Sequence, residues 1–189
     1  MTNLRPNCLV GLDNGYSMFR DKPLGPKCMC DYLFNGFRWG ELVGIRARDL
    51  PNEPGVYVIR VIERGLNVES TISYLNDVLG RTKWYEFLRY VNSRLNRLRR
   101  IGDCPVIYIG STSGLRGVGA KSSIRSRYVD LAGRRHTAFF PILALLLAGW
   151  RLDYGFKTTN SHSEAKELEE RLKKEYREIH GALPALVAR

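Results

Sequence analysis

The chain has 189 residues, with 30 Lys+Arg against 19 Asp+Glu and a formal net charge of +11 at pH 7. Hydrophobic residues make up 44%, enough to bury a core, so a wholly disordered chain is excluded. The charge excess calls for a polyanion, either nucleic acid or an anionic membrane surface, with a merely solvated basic face as the bland alternative.

Residues 1–50 are punctuated by Gly11, Gly15, Pro23, Gly25, Pro26, Gly36 and Gly40, with aromatic residues scattered among them. They read as an irregular extension packed onto a main domain over 51–189. The N-terminal stretch lacks an apolar run of signal-peptide length, so a cytoplasmic or otherwise intracellular protein is expected. Cys8, Cys28, Cys30 and Cys104 do not form a disulfide framework in a chain this long. Cys28-x-Cys30 lacks the usual paired spacing of a zinc knuckle, and four ligands would need distant cysteines to converge. Structural or free thiols are therefore expected in preference to a metal site.

Pro51 and Pro54 introduce GVYVIRVIE, rich in β-branched residues and read as a strand over 55–63. Leu88, Val91, Leu95 and Leu98 recur at helical spacing within 82–101. Gly102 and Asp103 end that helix, and PVIYIGS at 105–111 is a second strand. A Gly/Ser-rich loop leads to a helix near 121–131. The longest apolar stretch, AFFPILALLLAGW at 138–150, falls short of the roughly 20 residues a membrane span needs and reads as a buried helix. A third strand follows at 151–159. The last helix starts near Ser161 or Ser163 and stops at Gly181 and Pro184.

The charge is concentrated. Between Arg81 and Arg135 there are thirteen Lys+Arg and three acids, a net +10, whereas the remainder is close to neutral. Such a block is the footprint of a phosphate-backbone binder. Arg89, Arg97, Arg100, Arg116, Lys121, Arg125, Arg134 and Arg135 are the expected DNA contacts, the alternative being a solvated face.

Two polar residues sit against apolar helix faces. At 100° per residue, Ala165, Leu168, Leu172, Tyr176 and Ile179 define the buried face of the last helix, and Glu169 falls at its rim. A carboxylate there must be paired, protonated or metal-bound. On the 121–131 helix, Arg127 lies at the edge of the face made by Ile124, Tyr128 and Leu131. It reads equally as a snorkelling side chain, a phosphate clamp or the partner of Glu169.

Gly55-Val56-Tyr57 on one strand, Tyr108-Ile109-Gly110 on the next, Arg127 on the following helix and Glu169 on a later helix resemble the GIY-YIG endonuclease family. LPNEPGVYVI, VIYIGST, Ile124-x-x-Arg127-Tyr, Ala165-x-x-Leu168-Glu169-x-x-Leu172 and the tail HGALPALV carry the resemblance over about 50–189. It implies an α+β fold: a small, mainly antiparallel sheet flanked by helices, the two tyrosine strands adjacent. It also implies metal-dependent hydrolysis of DNA phosphodiesters, of restriction, mobile-element or repair type. By position, Tyr57 would orient or deprotonate the attacking water, Tyr108 would support the water or the scissile phosphate, and Arg127 would stabilise phosphoryl charge. Glu169 would hold Mg²⁺, with Mn²⁺ as a substitute.

The partner is then double-stranded DNA rather than a membrane, with a homo-oligomer left open. A catalytically degenerate nucleic-acid binder is the alternative. Tyr57 and Tyr108 are 51 residues apart, where relatives have about ten, so a helical insertion over about 64–104 fills the hairpin. Leu131, Ser111 and Val187 stand where relatives often carry an auxiliary His or Tyr, a Lys and an Asn. His136, nine residues after Arg127, is the candidate substitute for the auxiliary group, with an ordinary surface residue as the alternative.

Overall fold

A computed structural model describes residues 18–80, 85–112, 122–132 and 136–187, with 74–75, 78–80 and 85–88 described by their backbone alone. Four strands form one sheet: β1 (Arg38–Glu41), β2 (Gly55–Glu63), β3 (Val106–Ser111) and β4 (Arg151–Thr158). Their order is β1-β4-β2-β3, and every pairing is antiparallel. Five α-helices accompany them: α1 (Val68–Gly80), α2 (Tyr85–Leu95), α3 (Ile124–Ala132), α4 (Phe139–Leu147) and α5 (His162–His180). The architecture is α+β, a four-stranded antiparallel sheet flanked by helices.

β2 lies between β3 and β4, and its residues 55–61 are all buried. That explains its nearly continuous apolar run, broken by Arg60, which is paired with Asp31, since a strand covered on both faces has no reason to alternate. One face carries Tyr57, Ile59, Tyr154 and Phe156 into a core shared with α1 to α4. The other carries Val56, Val58 and Ile109 against Leu172 and Tyr176 of α5, together with Phe34, Phe37 and Trp39 of the N-terminal segment.

α5 follows from its sequence. The Ser161 hydroxyl accepts the Glu164 amide at 3.1 Å and caps the first turn. Gly181, at φ +72°, takes the left-handed conformation that closes the last turn, and its N–H donates to Arg177 O at 2.8 Å.

Two elements differ from the sequence reading. The N-terminal extension contributes a strand, because β1 pairs with β4 from Arg38 opposite Phe156 to Glu41 opposite Asp153. Trp39 is fully buried, and its ring fills the space a Cβ on Gly155 would take, 2.6 Å away. Four residues are too few to show a period. The insertion also holds two helices rather than the single one at 82–101, with a 3-10 turn (Asn96–Arg100) closing it. α1 contains Val68, Thr71, Ile72 and Val78, whose intrinsic helix preference is weak. It forms because Asn67 Oδ1 accepts the Ser70 amide at 2.8 Å and Ile72 is buried in the core.

Candidate active site

The register of β2 on β3 sets Tyr57 opposite Gly110 and Ile59 opposite Tyr108. Side chains alternate along a strand, so Tyr57 and Tyr108 are diagonal neighbours on one face. Their rings are 5.8 Å apart and inclined by 25°. Tyr154 of β4 stacks on the other side of Tyr57, at 5.7 Å and 19°. Gly110 is glycine because the rings leave no room: a Cβ there would lie 2.6 Å from the Tyr108 ring and 2.9 Å from Tyr57 Oη.

α3 is docked by its first turn on the loop before β2. The amides of Ile124 and Arg125 donate to Glu53 O and Pro51 O, both at 3.0 Å, and Ser123 Oγ donates to Asn52 Oδ1 at 2.9 Å. This places Arg127 beside the tyrosines. Its side chain is 19% exposed and lies 3.9 Å from the carboxylate of Asp130 on the next turn. Its charge acts on Tyr57, Tyr108 and His136 alike.

His136, between α3 and α4, is buried, and its Nε2 lies 2.7 Å from Tyr57 Oη. The Ala138 amide donates to His136 Nδ1 at 3.1 Å. An acceptor Nδ1 means that the neutral ring carries its proton on Nε2, which therefore donates to Tyr57. Burial first, and Arg127 second, hold the imidazole at a pKa of about 4, so it is neutral across the physiological range.

Glu169 reaches the same region from α5. Its Oε2 accepts from the Ser111 hydroxyl, at the end of β3, and its Oε1 from the Lys173 ammonium one turn further along. The Glu169 side chain is 16% exposed. Its negative charge acts on Tyr108.

Both tyrosines are harder to ionise than a free phenol. Burial is the first cause at Tyr57, followed by Tyr108 and Tyr154, and Arg127 only partly opposes it. At Tyr108 burial is again first, and Glu169 adds to it. A hydrogen bond with Tyr57 and the charges of Arg127 and Arg97 work the other way. Tyr57 is therefore a neutral hydroxyl at rest. Its oxygen accepts from His136, and its proton is donated to the Tyr108 hydroxyl.

Tyr57, Tyr108 and His136 are thus in direct contact, the charge of Arg127 acts on all three, and Glu169, from α5, acts on Tyr108. The expected basic contacts divide. Arg89 is exposed on α2. Arg97 Nη1 donates to Leu186 O at 3.4 Å, and Arg100 Nη2 donates to Val187 O at 3.0 Å and to Ala185 O, so both help hold the C-terminal segment. Arg125 donates to Leu50 O at 2.9 Å and to Arg48 O at 3.3 Å, tying α3 to the preceding loop. Arg116, Lys121, Arg134 and Arg135 lie outside the described residues.

Sequence reasoning passed over Lys173, although its spacing from Glu169 is that of a helical ion pair. It noted Ser111 only as a departure from lysine, and the packing of α5 against β3 brings that hydroxyl to Glu169. No family model, no curated protein and no solved structure matches the chain.

Proposed function

We propose that this protein is a metal-dependent endonuclease of the GIY-YIG type that hydrolyses DNA phosphodiester bonds. The observation that carries the reading is the contact of Tyr57, Tyr108 and His136, from separate elements, with the charges of both Arg127 and Glu169 acting on Tyr108. Phosphodiester hydrolysis needs an in-line water and positive charge set in advance around the phosphoryl oxygens.

The side chains divide that work. Arg127 supplies fixed positive charge to the developing phosphorane oxygens. The neutral, buried Tyr57 accepts His136 Nε2–H, donates its own O–H to Tyr108 and so positions that hydroxyl. Tyr108, only partly buried, orients the water or a phosphate oxygen. A resting tyrosinate base is disfavoured by the burial of Tyr57, so orientation is the role that fits.

The donor set suits Mg²⁺, a hard cation that needs only one or two protein carboxylates and fills its shell with water and phosphate. Glu169 would hold it, with the Ser111 hydroxyl fixing the carboxylate. Bound there, the ion would polarise a phosphoryl oxygen and acidify water. The charge of Glu169 acts on Tyr108, and its side chain keeps partial access to solvent.

The ion pair of Lys173 with Glu169 favours a second reading, a nucleic-acid binder that does not cut, in which the ammonium stands where a cation would act. Plasmid cleavage separates the two. The nuclease reading predicts cleavage with Mg²⁺ that EDTA abolishes, and its loss in Glu169→Ala with DNA binding retained. Salt-sensitive binding without cleavage in Mg²⁺ or Mn²⁺ selects the second reading.

A further inference from the structure

A second cluster of ligating side chains lies at the other end of α5. Cys28 and Cys30 from the N-terminal segment, Cys104 from the approach to β3, and His180 from the last turn of α5 point at a common centre. Their Sγ and Nε2 atoms all lie within 4.8 Å of one another. Cys28 Sγ is 3.4 Å from Cys104 Sγ, 3.4 Å from Cys30 Sγ and 3.5 Å from His180 Nε2, and Cys30 Sγ is 3.6 Å from Cys104 Sγ.

These distances discriminate. A disulfide holds its sulfurs at about 2.05 Å and would leave the third cysteine without a partner. Tetrahedral Zn²⁺, with bonds of about 2.3 Å to sulfur and about 2.0 Å to nitrogen, places its ligands about 3.7 Å apart between sulfurs and about 3.5 Å between sulfur and nitrogen. The three sulfurs form a near-equilateral triangle of that size, and the imidazole nitrogen lies at the tetrahedral spacing from Cys28 Sγ and within 4.8 Å of the other two. Simple hydrogen bonding among thiols, which are weak donors, gives no reason to gather four such groups from three distant parts of the chain.

The surroundings are organised in the same sense. The amide of Cys30 is aimed at Cys28 Sγ and that of Val106 at Cys104 Sγ, so backbone donors orient two of the sulfurs. The Cys28 amide donates to Asp31 Oδ2 at 3.0 Å, and Asp31 is gripped by Arg60, buried on β2. The Tyr176 ring packs at 4.5 Å on His180 and fixes the imidazole plane.

From this geometry we propose that Cys28, Cys30, Cys104 and His180 form a structural Zn²⁺ site. All four tetrahedral positions come from the chain, which marks a closed site rather than a catalytic one. Along α5, His180 is eleven residues beyond Glu169, about 16 Å away, so the zinc centre is separate from the candidate active site. Its role is to fasten the N-terminal segment, and with it the short strand β1, to β3 and α5. Soft sulfur ligands select Zn²⁺ over the Mg²⁺ proposed for Glu169.

The test uses the full chain, reduced with a phosphine and freed of metal, then titrated with Co²⁺ and afterwards with Zn²⁺. One equivalent of Co²⁺ should give the intense visible bands of a tetrahedral, thiolate-rich site, and Zn²⁺ should bleach them. Protein purified without chelator should contain one zinc per chain, and Cys104→Ser and His180→Ala should lose it. Should either variant fail to fold, the wild-type cobalt spectrum decides alone. Weak octahedral bands, no uptake by the fully reduced chain, or full zinc content in both folded variants would overturn the proposal. None of these readouts involves DNA cleavage, so the zinc site and the nuclease reading stand or fall separately.

Discussion

His136 shows how a single residue acquires meaning from its partners. From the sequence it was one histidine after a basic helix, equally readable as surface. In the fold its Nδ1 is taken by the Ala138 amide and its Nε2 by Tyr57, so the ring is locked in one tautomer. Its pKa of about 4 is below the ordinary 6.5. The unfolded chain therefore binds a proton at higher pH than the folded one. The resulting stability is complete above pH 6.5 and is lost as pH falls toward 4. At about 1.4 kcal/mol per pH unit, this amounts to about 3 kcal/mol. Denaturant unfolding between pH 7 and pH 4 should show this slope in the wild-type protein and not in His136→Gln. Equal slopes in the two would show that His136 is readily protonated in the folded state.

At the scale of elements, the strands and the last helix were legible because their signals are local. β2 and β3 are bounded by Pro, Gly and Asp, and α5 carries its own cap at Ser161 and its own stop at Gly181. The rim position of Glu169 could be calculated from helical angles, and the structure gives it a partly buried setting with Ser111 and Lys173. β1 was not legible, since four residues hold no period and its reason for existing is the fit of Trp39 over Gly155, 116 residues away in sequence. The convergence of Cys28, Cys30, Cys104 and His180 was hidden for the same reason. Cys28-x-Cys30 has no telling spacing by itself, and its third and fourth members arrive through β3 and α5. Gly110 is where packing and chemistry meet. Gly110→Ala pushes a methyl group into both tyrosine rings and should destabilise the fold by about 1–3 kcal/mol, the usual range for overpacking. It should also reduce cleavage beyond that loss, measured on protein shown to be folded by its unfolding transition. A variant as active and stable as wild type would mean that the tyrosine pair is not held as described.

For the molecule as a whole, the charge excess is put to more than one use. Arg97, Arg100 and Arg125 spend part of their donors on backbone carbonyls, and Arg99 pairs with Glu69 at 2.8 Å. Arg89, exposed on α2, is a cleaner test of DNA contact. Replacing it with alanine should lower DNA affinity and reduce the slope of log K against log salt by about 0.9 if one phosphate contact is lost. An unchanged slope would return it to a solvated role. Among the described residues, no helix is long and apolar enough to cross a membrane. The central claim is that Glu169, Arg127 and the tyrosine pair form one phosphodiester-cleaving site. Supercoiled plasmid incubated with wild-type protein, Arg127→Ala and Glu169→Ala in Mg²⁺ tests it most directly. The account predicts cleavage by the wild type alone, with all three proteins still binding DNA. Unimpaired cleavage by Glu169→Ala, or none by the wild type in either Mg²⁺ or Mn²⁺, would contradict it.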